Sequence, residues 1–220
     1  MGKLKAAYFM DTPAGLGGAG NLLLQQAALM AGLYDAIVVL PEDQEGNYNL
    51  EYARRCEKHN LSYVHIRYST AVLFSLIDFM DAMKSAVEIE NFAKAEKIEL
   101  FHSVQLNIAV ECAARKLGLP HLMDIYQLPE QEFRACPGQI YPQYHLCDSL
   151  LYSRLWSRNL GISSRCVRPV ALLDSIKTKK SYPKEKLKIL MLGELCERKN
   201  QMAAIRAAEL CRGMVEMYLA

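Results

Sequence analysis

Between Leu4 and Ile125 the chain alternates short β-type runs with helical patterns, and this alternation limits the fold more than any other feature. Leu4–Met10, Ala36–Leu40, Ser62–Ile66, Leu100–Val104 and His121–Ile125 read as strands. Asn21–Ala31 (closed by Gly32), Asn49–Lys58, Val72–Lys97 and Ile108–Leu117 (stopped by Gly118) read as helices. The run AIVVL at 36–40 is continuously apolar, the pattern of a strand covered on both faces. Repeated βα units with short connections imply an α/β fold, a Rossmann-like, mainly parallel sheet with helices on both faces. Such sheets bind ligands beyond the carboxyl ends of their strands, so the residues after each strand carry the functional information.

The second half reads differently. Gln127–Gln143 is a longer, proline-containing segment, expected as a substrate-facing loop. Leu150–Tyr152 and Cys166–Val170 give short β signals around a helix at Arg154–Leu160. Composition turns polar and basic at Asp174–Lys186 (DSIKTKKSYPKEK), which reads as a linker. Strand, helix and strand patterns follow in LKILMLG, ERKNQMAAIRAAELC and MVEMYLA. The expected organisation is an amino-terminal domain over 1–173, a linker over 174–186 and the truncated start of a second domain over 187–220. Three elements are too few to bury a second core. Their strands are expected to be disordered, to pack on the first domain, or to exchange between copies in a homodimer.

At 51% hydrophobic and 23% charged, the composition is that of a globular chain. A net charge of +2 gives no case for a nucleic-acid partner. The seven cysteines form no CxxC and no cysteine–histidine set with metal spacing, which reads as reduced thiols, no metal and a cytoplasmic setting. No signal-peptide pattern is seen, because the apolar run after Met1–Lys5 is interrupted at Asp11. Ala71–Val87 is strongly apolar but contains Asp78, Asp81 and Lys84, so it is not expected to span a bilayer. Its Phe74, Leu76, Ile77, Phe79, Met80 and Met83 read as core positions rather than a lipid-docking face. The lysines between 177 and 186 read as a solvated linker, with peripheral contact to the inner face of a membrane as the other reading.

Four of the six residues 15–20 are glycine. Glycines between a strand and a helix let backbone amides approach a ligand, and the helix N-terminus favours negative charge. Gly15-x-Gly17-x-x-Gly20 matches a dinucleotide fingerprint, with Glu42 or Asp43 as its ribose-binding acid, and supports an NAD(P)-binding oxidoreductase as one reading. DTPA stands between the strand and the first glycine, where that fingerprint wants none. Glycines that merely permit a tight turn are a second reading, and a non-catalytic partner module is a third.

Two longer stretches carry more. LFHSVQLNIAVECAARKLGLPHLMDIY (100–126) resembles the GT-B glycosyltransferases of family four, also called glycosyl transferases group 1. Their pattern is a strand ending in His-x-His, an alanine-rich helix, Leu-Gly-x-Pro and a strand ending in histidine. KILMLGELCERKNQMAAIRAAELC (188–211) resembles the opening of their second domain. GLGGAGNLLLQQAALMAG then corresponds to their Gly-Gly loop, and CDSLLYSRLWSRNLG to the region before the linker.

The resemblance implies the amino-terminal half of a GT-B fold, which shapes the acceptor site. The other half binds the nucleotide sugar, and the sugar moves to an acceptor hydroxyl with retained anomeric configuration. It further implies a glycan or lipid-linked acceptor in surface polysaccharide or glycolipid assembly, and no cofactor beyond the donor substrate. Gly17 and Gly18 match the Gly-Gly loop, where their amides would approach phosphate. His102 matches the first histidine of His-x-His, whose second place holds Val104. The histidine near the reacting sugar falls on Tyr126, which can hydrogen-bond but cannot carry histidine's charge. Lys199 matches the diphosphate-binding lysine; Glu194 stands where the family has arginine, and Arg198 is the substitute. The family's Glu-x7-Glu belongs beyond Ala220, so this polypeptide alone is not expected to transfer sugar.

Overall fold

A computed structural model describes residues 2–12, 17–43, 45–70, 76–105, 107–126, 144–167, 186–193 and 195–220. The 127–143 loop, Gly15, Phe74 and all of the linker except Lys186 lie outside the described residues. The chain divides into two compact units, Met1–Leu172 and Leu173–Ala220.

The first unit runs β1 (Lys5–Phe9), α1 (Gly18–Met30), β2 (Asp35–Glu42), α2 (Leu50–Lys58), β3 (Ser62–Arg67), α3 (Leu76–Glu96), β4 (Leu100–Val104), α4 (Ile108–Leu117), β5 (His121–Asp124), β6 (Tyr144–Cys147), α5 (Leu150–Leu160) and β7 (Ser164–Cys166). The seven strands are ordered β3-β2-β1-β4-β5-β6-β7 and every neighbouring pair is parallel. This is the Rossmann-like α/β arrangement that the alternating pattern predicts.

Alternation along each strand divides the core between the two faces of the sheet. Tyr8, Met10, Val38, Leu40 and Val104 pack with Leu23, Leu24 and Ala27 of α1 and with Tyr52, Ala53 and Cys56 of α2. Phe9, Val39, Phe101 and Met123 pack on the other face with Ile89 of α3, Val110 of α4 and Trp156 of α5. Each such large side chain, fully buried, contributes about 1.5–3 kcal/mol relative to exposure. Asn49, Asn107 and Ser149 cap α2, α4 and α5 by accepting from backbone N–H groups of the first turn. Gly118 and Gly161 end α4 and α5 at φ 67° and 70°, a conformation that costs glycine nothing.

Several expectations need correction. Ile77, Met80 and Met83 of α3, expected in the core, are 71%, 53% and 41% exposed. Helix α1 starts at Gly18, not Asn21, because Gly17 is extended and the glycine-rich GAG forms the first turn. Leu150–Tyr152 is not a strand: Ser149 Oγ accepts from Tyr152 N and makes these residues the first turn of α5. The strand lies earlier, at Tyr144–Cys147, and its partner is Ser164–Cys166 rather than Cys166–Val170.

The second unit contains β8 (Leu187–Met191), a 3₁₀ turn (Glu197–Lys199), α6 (Gln201–Leu210) and β9 (Val215–Leu219). β8 and β9 pair in parallel, Leu187 with Val215 through Met191 with Leu219, around the helix between them.

Candidate functional site

β1 and β4 are neighbours in the sheet, yet β1 leads into α1 on one face and β4 into α4 on the other. The carboxyl edge at such a reversal is the usual ligand position in sheets of this kind. The described residues following the strands there are Asp11, Gln105, Tyr126 and Asp148, with Asp124 at the end of β5.

The glycine loop is shaped by a tyrosine. Gly17 N–H donates to Tyr52 Oη at 3.0 Å, and the Tyr52 hydroxyl donates back to Gly17 O at 3.2 Å. Burial, reinforced by the nearby Asp11 carboxylate, pushes the Tyr52 hydroxyl up to about 12, so it stays protonated. A Cβ at Gly20 would lie 2.3 Å from Tyr52 Oη and 2.7 Å from Asp11 Oδ1. Gly20 is therefore glycine for close packing. Gly18 opens α1, and a Cβ there meets nothing within 4 Å. Gly20→Ala is expected to destabilise the first unit by about 1–3 kcal/mol through overpacking. Urea denaturation followed by the single, buried Trp156 measures this, with Gly18→Ala as the neutral control.

Asp11 follows β1 and lies beside the start of α1, its Oδ2 3.0 Å from where a Gly17 Cβ would be. Burial raises its pKa, and its Oδ1 is buried with no hydrogen-bond partner. A helix N-terminus attracts an anion, and here the anion supplied is the chain's own carboxylate. With the Gly17 amide engaged by Tyr52 and Asp11 beside it, Gly17 is not available to a phosphate.

A second cluster joins α1, β4 and β5. The Tyr126 hydroxyl donates to Asp124 Oδ2 at 3.1 Å and accepts from Gln26 Nε2 at 3.5 Å. Burial first, then the Asp124 charge, raise the Tyr126 pKa far above the ordinary value, so the hydroxyl is a permanent donor. His102 is 7% exposed, with its ring 5.2 Å from that of Tyr8. Its Nε2 faces Asp124 Oδ1 at 3.2 Å, a buried pair in which neither atom has another hydrogen-bond partner. The structure thus joins His102 and Tyr126 through Asp124, an acid that sequence reasoning passed over. Its signal was the two-residue spacing to Tyr126, which puts both on one face of β5 and its continuation.

The unpartnered buried oxygens in the chain are Asp11 Oδ1, Gln26 Oε1, Gln105 Oε1, Asp124 Oδ1 and Asp148 Oδ1, among the described residues. Four of these follow or end β1, β4, β5 and β6, and the fifth touches Tyr126. All five are acceptors. A buried polar atom without a partner costs about 1–3 kcal/mol, and these five gather at one edge of the sheet, with Asp124 Oδ1 facing His102 Nε2 at 3.2 Å. His145 Nδ1 is also unpartnered; burial between Trp156 and Cys147 lowers its pKa to about 4. A cavity of about 330 Å³ opens at the opposite, amino-terminal edge, against Lys3, Tyr34, Asp35 and Asn60, and contains none of these atoms.

A different network lies on the other face of β4 and β5. His121 contacts Ser103 Oγ through Nε2 at 2.8 Å and Glu111 Oε2 through Nδ1 at 2.7 Å, while Arg115 Nε donates to Glu111 Oε1 at 2.7 Å. The order serine, histidine, acid is that of a nucleophilic triad. Ser103, His121 and Glu111 are each 0% exposed, so no substrate reaches them and the network is structural. The Cys56 and Cys147 thiols are equally remote from catalysis, since burial pushes them up to about 12 and about 11. Among the described residues no group of three or more His, Cys, Asp or Glu is placed to hold a metal, and no helix is long and apolar enough to cross a membrane.

In the second unit Lys199 closes the 3₁₀ turn, and its stem carbons lie 3.7 Å from where a Gly193 Cβ would be. A Cβ at that distance would make ordinary contact, so it is the φ of 148° and not the lysine that favours glycine at 193. Arg198 shares the turn, but its side chain, like Glu194, lies outside the described residues.

No family model matches the sequence, and no curated protein matches it. Solved structures do match. A glycosyltransferase from Rickettsia africae ESF-5 aligns over 98% of this chain and 59% of its own, at 11% identity and a TM-score of 0.67. The spinosyn rhamnosyltransferase SpnG aligns over 97% of this chain and 64% of its own, at 12% identity and a TM-score of 0.61. Acinetobacter baumannii MurG aligns over 98% of this chain and 60% of its own, at 14% identity and a TM-score of 0.57. The chain therefore spans about three-fifths of the length of the structures it matches. What it shares with them is the fold, the Rossmann-like α/β arrangement of a GT-B amino-terminal domain.

Proposed function

We propose that the first unit is the acceptor-side half of a retaining, nucleotide-sugar-dependent glycosyltransferase acting in surface polysaccharide or glycolipid assembly. The single observation carrying this is the set of five unpartnered oxygens at the carboxyl edge. A sugar presents a dense array of hydroxyl donors, and such donors complete carboxylate and carboxamide oxygens with short, charge-assisted bonds. The likeness in fold to proteins titled as glycosyltransferases supports the same reading.

In this reading Asp11 and Asp124 accept from the acceptor sugar and orient it, and Tyr126 holds Asp124 through their 3.1 Å bond. His102 lines the wall behind Asp124. Lys199, with Arg198, supplies positive charge for the departing diphosphate, whose developing charge such groups stabilise. Gly18 keeps an open approach at the start of α1.

The dinucleotide reading meets two obstacles. Asp11 lies beside Gly17 and Gly20, where its charge would oppose a pyrophosphate. The two candidate ribose acids are both engaged, Glu42 with His65 Nδ1 and Asp43 with the Asn47 amide and the Glu45 and Asn47 backbone N–H groups. Calorimetric titration with UDP, dTDP and NAD separates the readings. Binding of a nucleoside diphosphate is expected, weakened at least tenfold by Lys199→Ala, with no binding of NAD. Tight NAD binding with none for either diphosphate would overturn the proposal.

A further inference from the structure

We infer that Cys147 and Cys166 form a reversible disulfide that staples the last two strands of the first unit together. The inference is independent of the glycosyltransferase reading.

These two are the only cysteines in the described strands, and the sheet sets them opposite each other. β6 and β7 run parallel, with His145 against Ser164 and Cys147 against Cys166. Neighbouring strands lie about 4.8 Å apart, inside the range of roughly 4.4–6.8 Å between Cα atoms that a disulfide spans. Both side chains belong to the face covered by α5. Cys147 lies in the core that contains Trp156. Ser164, two residues before Cys166 and therefore on its face, bonds Ser153 Oγ at 2.7 Å. Cys147 Sγ is 3.8 Å from Ser164 Oγ, so it already reaches across to β7. Burial first, then the charges of Asp148 and Cys166, push the Cys147 thiol up to about 11, an influence that Cys166 exerts only as a near neighbour. Cys56 and Cys112 cannot pair in this way, because they are buried on opposite faces of the sheet.

The two thiols differ as an attacking and a resolving cysteine do. Cys166 is partly exposed, whereas Cys147 is 1% exposed. The oxidant is a small-molecule disulfide such as oxidised glutathione. The Cys166 thiolate attacks one of its sulfurs, giving a mixed disulfide and releasing one glutathione as a thiol that takes the Cys166 proton. Cys147 then attacks the Cys166 sulfur, and the second glutathione leaves as a thiol with the Cys147 proton. In total two protein thiols lose two hydrogens to one glutathione disulfide. The second step is intramolecular, which offsets the high Cys147 pKa.

β7 is a three-residue strand at the end of the sheet, held to β6 by a short ladder and by Val167 N–H on Cys147 O at 2.8 Å. So short an edge opens locally at low cost, and the bond removes that freedom.

The test incubates the chain with oxidised glutathione and maps its disulfides by non-reducing peptide mass spectrometry. A Cys147–Cys166 cross-link is expected in the folded chain, reversed by dithiothreitol. Hydrogen exchange of the Val167 amide is expected to slow at least tenfold in the oxidised form. Both readouts are made on the parent chain, so no folding defect in a variant enters. Cys166→Ser is expected to leave exchange unchanged by the oxidant, and Cys147→Ser to accumulate the mixed disulfide at Cys166. Glutathione retained on Cys166 of the parent chain, cross-links to other cysteines instead, or an unreactive pair would each overturn the inference. So would a Val167 amide that exchanges as fast after oxidation as before.

Discussion

Glu111→Ala is expected to destabilise the first unit by about 1–3 kcal/mol, the cost of leaving the buried His121 N–H without its acceptor. Glu111 accepts from His121 Nδ1 and Arg115 Nε, both at 2.7 Å, and all of its side chain is enclosed. Without it the His121 N–H points into the core with no acceptor. Because Nδ1 donates to Glu111, Nε2 accepts from Ser103, so the imidazole is neutral and bridges α4, β5 and β4. Burial lowers the His121 pKa against the pull of Glu111, while His121 and Arg115 hold Glu111 below its usual value against burial. Both folded values lie below the unfolded ones. The network's contribution is therefore complete above the ordinary histidine pKa, about 6.5, and is lost progressively as the pH falls. Urea midpoints read by Trp156 fluorescence should decline below that pH in the parent chain. Glu111→Ala should lower the stability and leave the decline below that pH at least as steep, because Glu111 is the group that raises the His121 pKa against burial. An unchanged midpoint in the variant would show that the network contributes nothing.

Asp11→Asn is expected to separate stability from binding. Burial disfavours the charged form of Asp11, and its Oδ1 has no hydrogen-bond partner, so the carboxylate works against folding at neutral pH. A neutral amide removes that cost, and the melting temperature should rise. Sugar binding should fall about ten- to a hundredfold, since a hydrogen bond to a charged group contributes about 1.5–3 kcal/mol. The opposite signs are the informative part, because a residue kept for packing alone would lose stability when replaced. A fall in melting temperature with unchanged binding would assign Asp11 a structural role.

The parallel sheet was legible because the central strand β2 announces itself as an unbroken apolar run, and short β-type runs alternate with helices that carry their own punctuation. Asn49, Asn107 and Gly118 mark ends that hold in three dimensions. β6 was not legible. Its YHLC sequence has no apolar run, and the strongly apolar LLY that follows belongs to a helix capped by Ser149. The site was legible only in outline. The glycines at 17, 18 and 20 point to the right turn, but nothing local reveals that Tyr52, 35 residues from Gly17, fills it and engages the amide. Asp11, Asp124 and Asp148 look in sequence like ordinary strand-end acids, expected in water. Only burial without partners distinguishes them, and burial is a property of the fold.

The central claim is that the carboxyl edge of the seven-stranded sheet accepts hydroxyl donors from a sugar. Amide chemical-shift mapping of the isotope-labelled chain with methyl glucoside or glucosamine tests it most directly. Perturbations are predicted at Asp11, Gly17–Gly20, Gln105, Asp124–Tyr126 and Asp148, with NAD leaving the same amides unmoved. Shifts confined to the opposite edge, around Lys3 and Asn60, or a response of the α1 N-terminus to NAD alone, would contradict it.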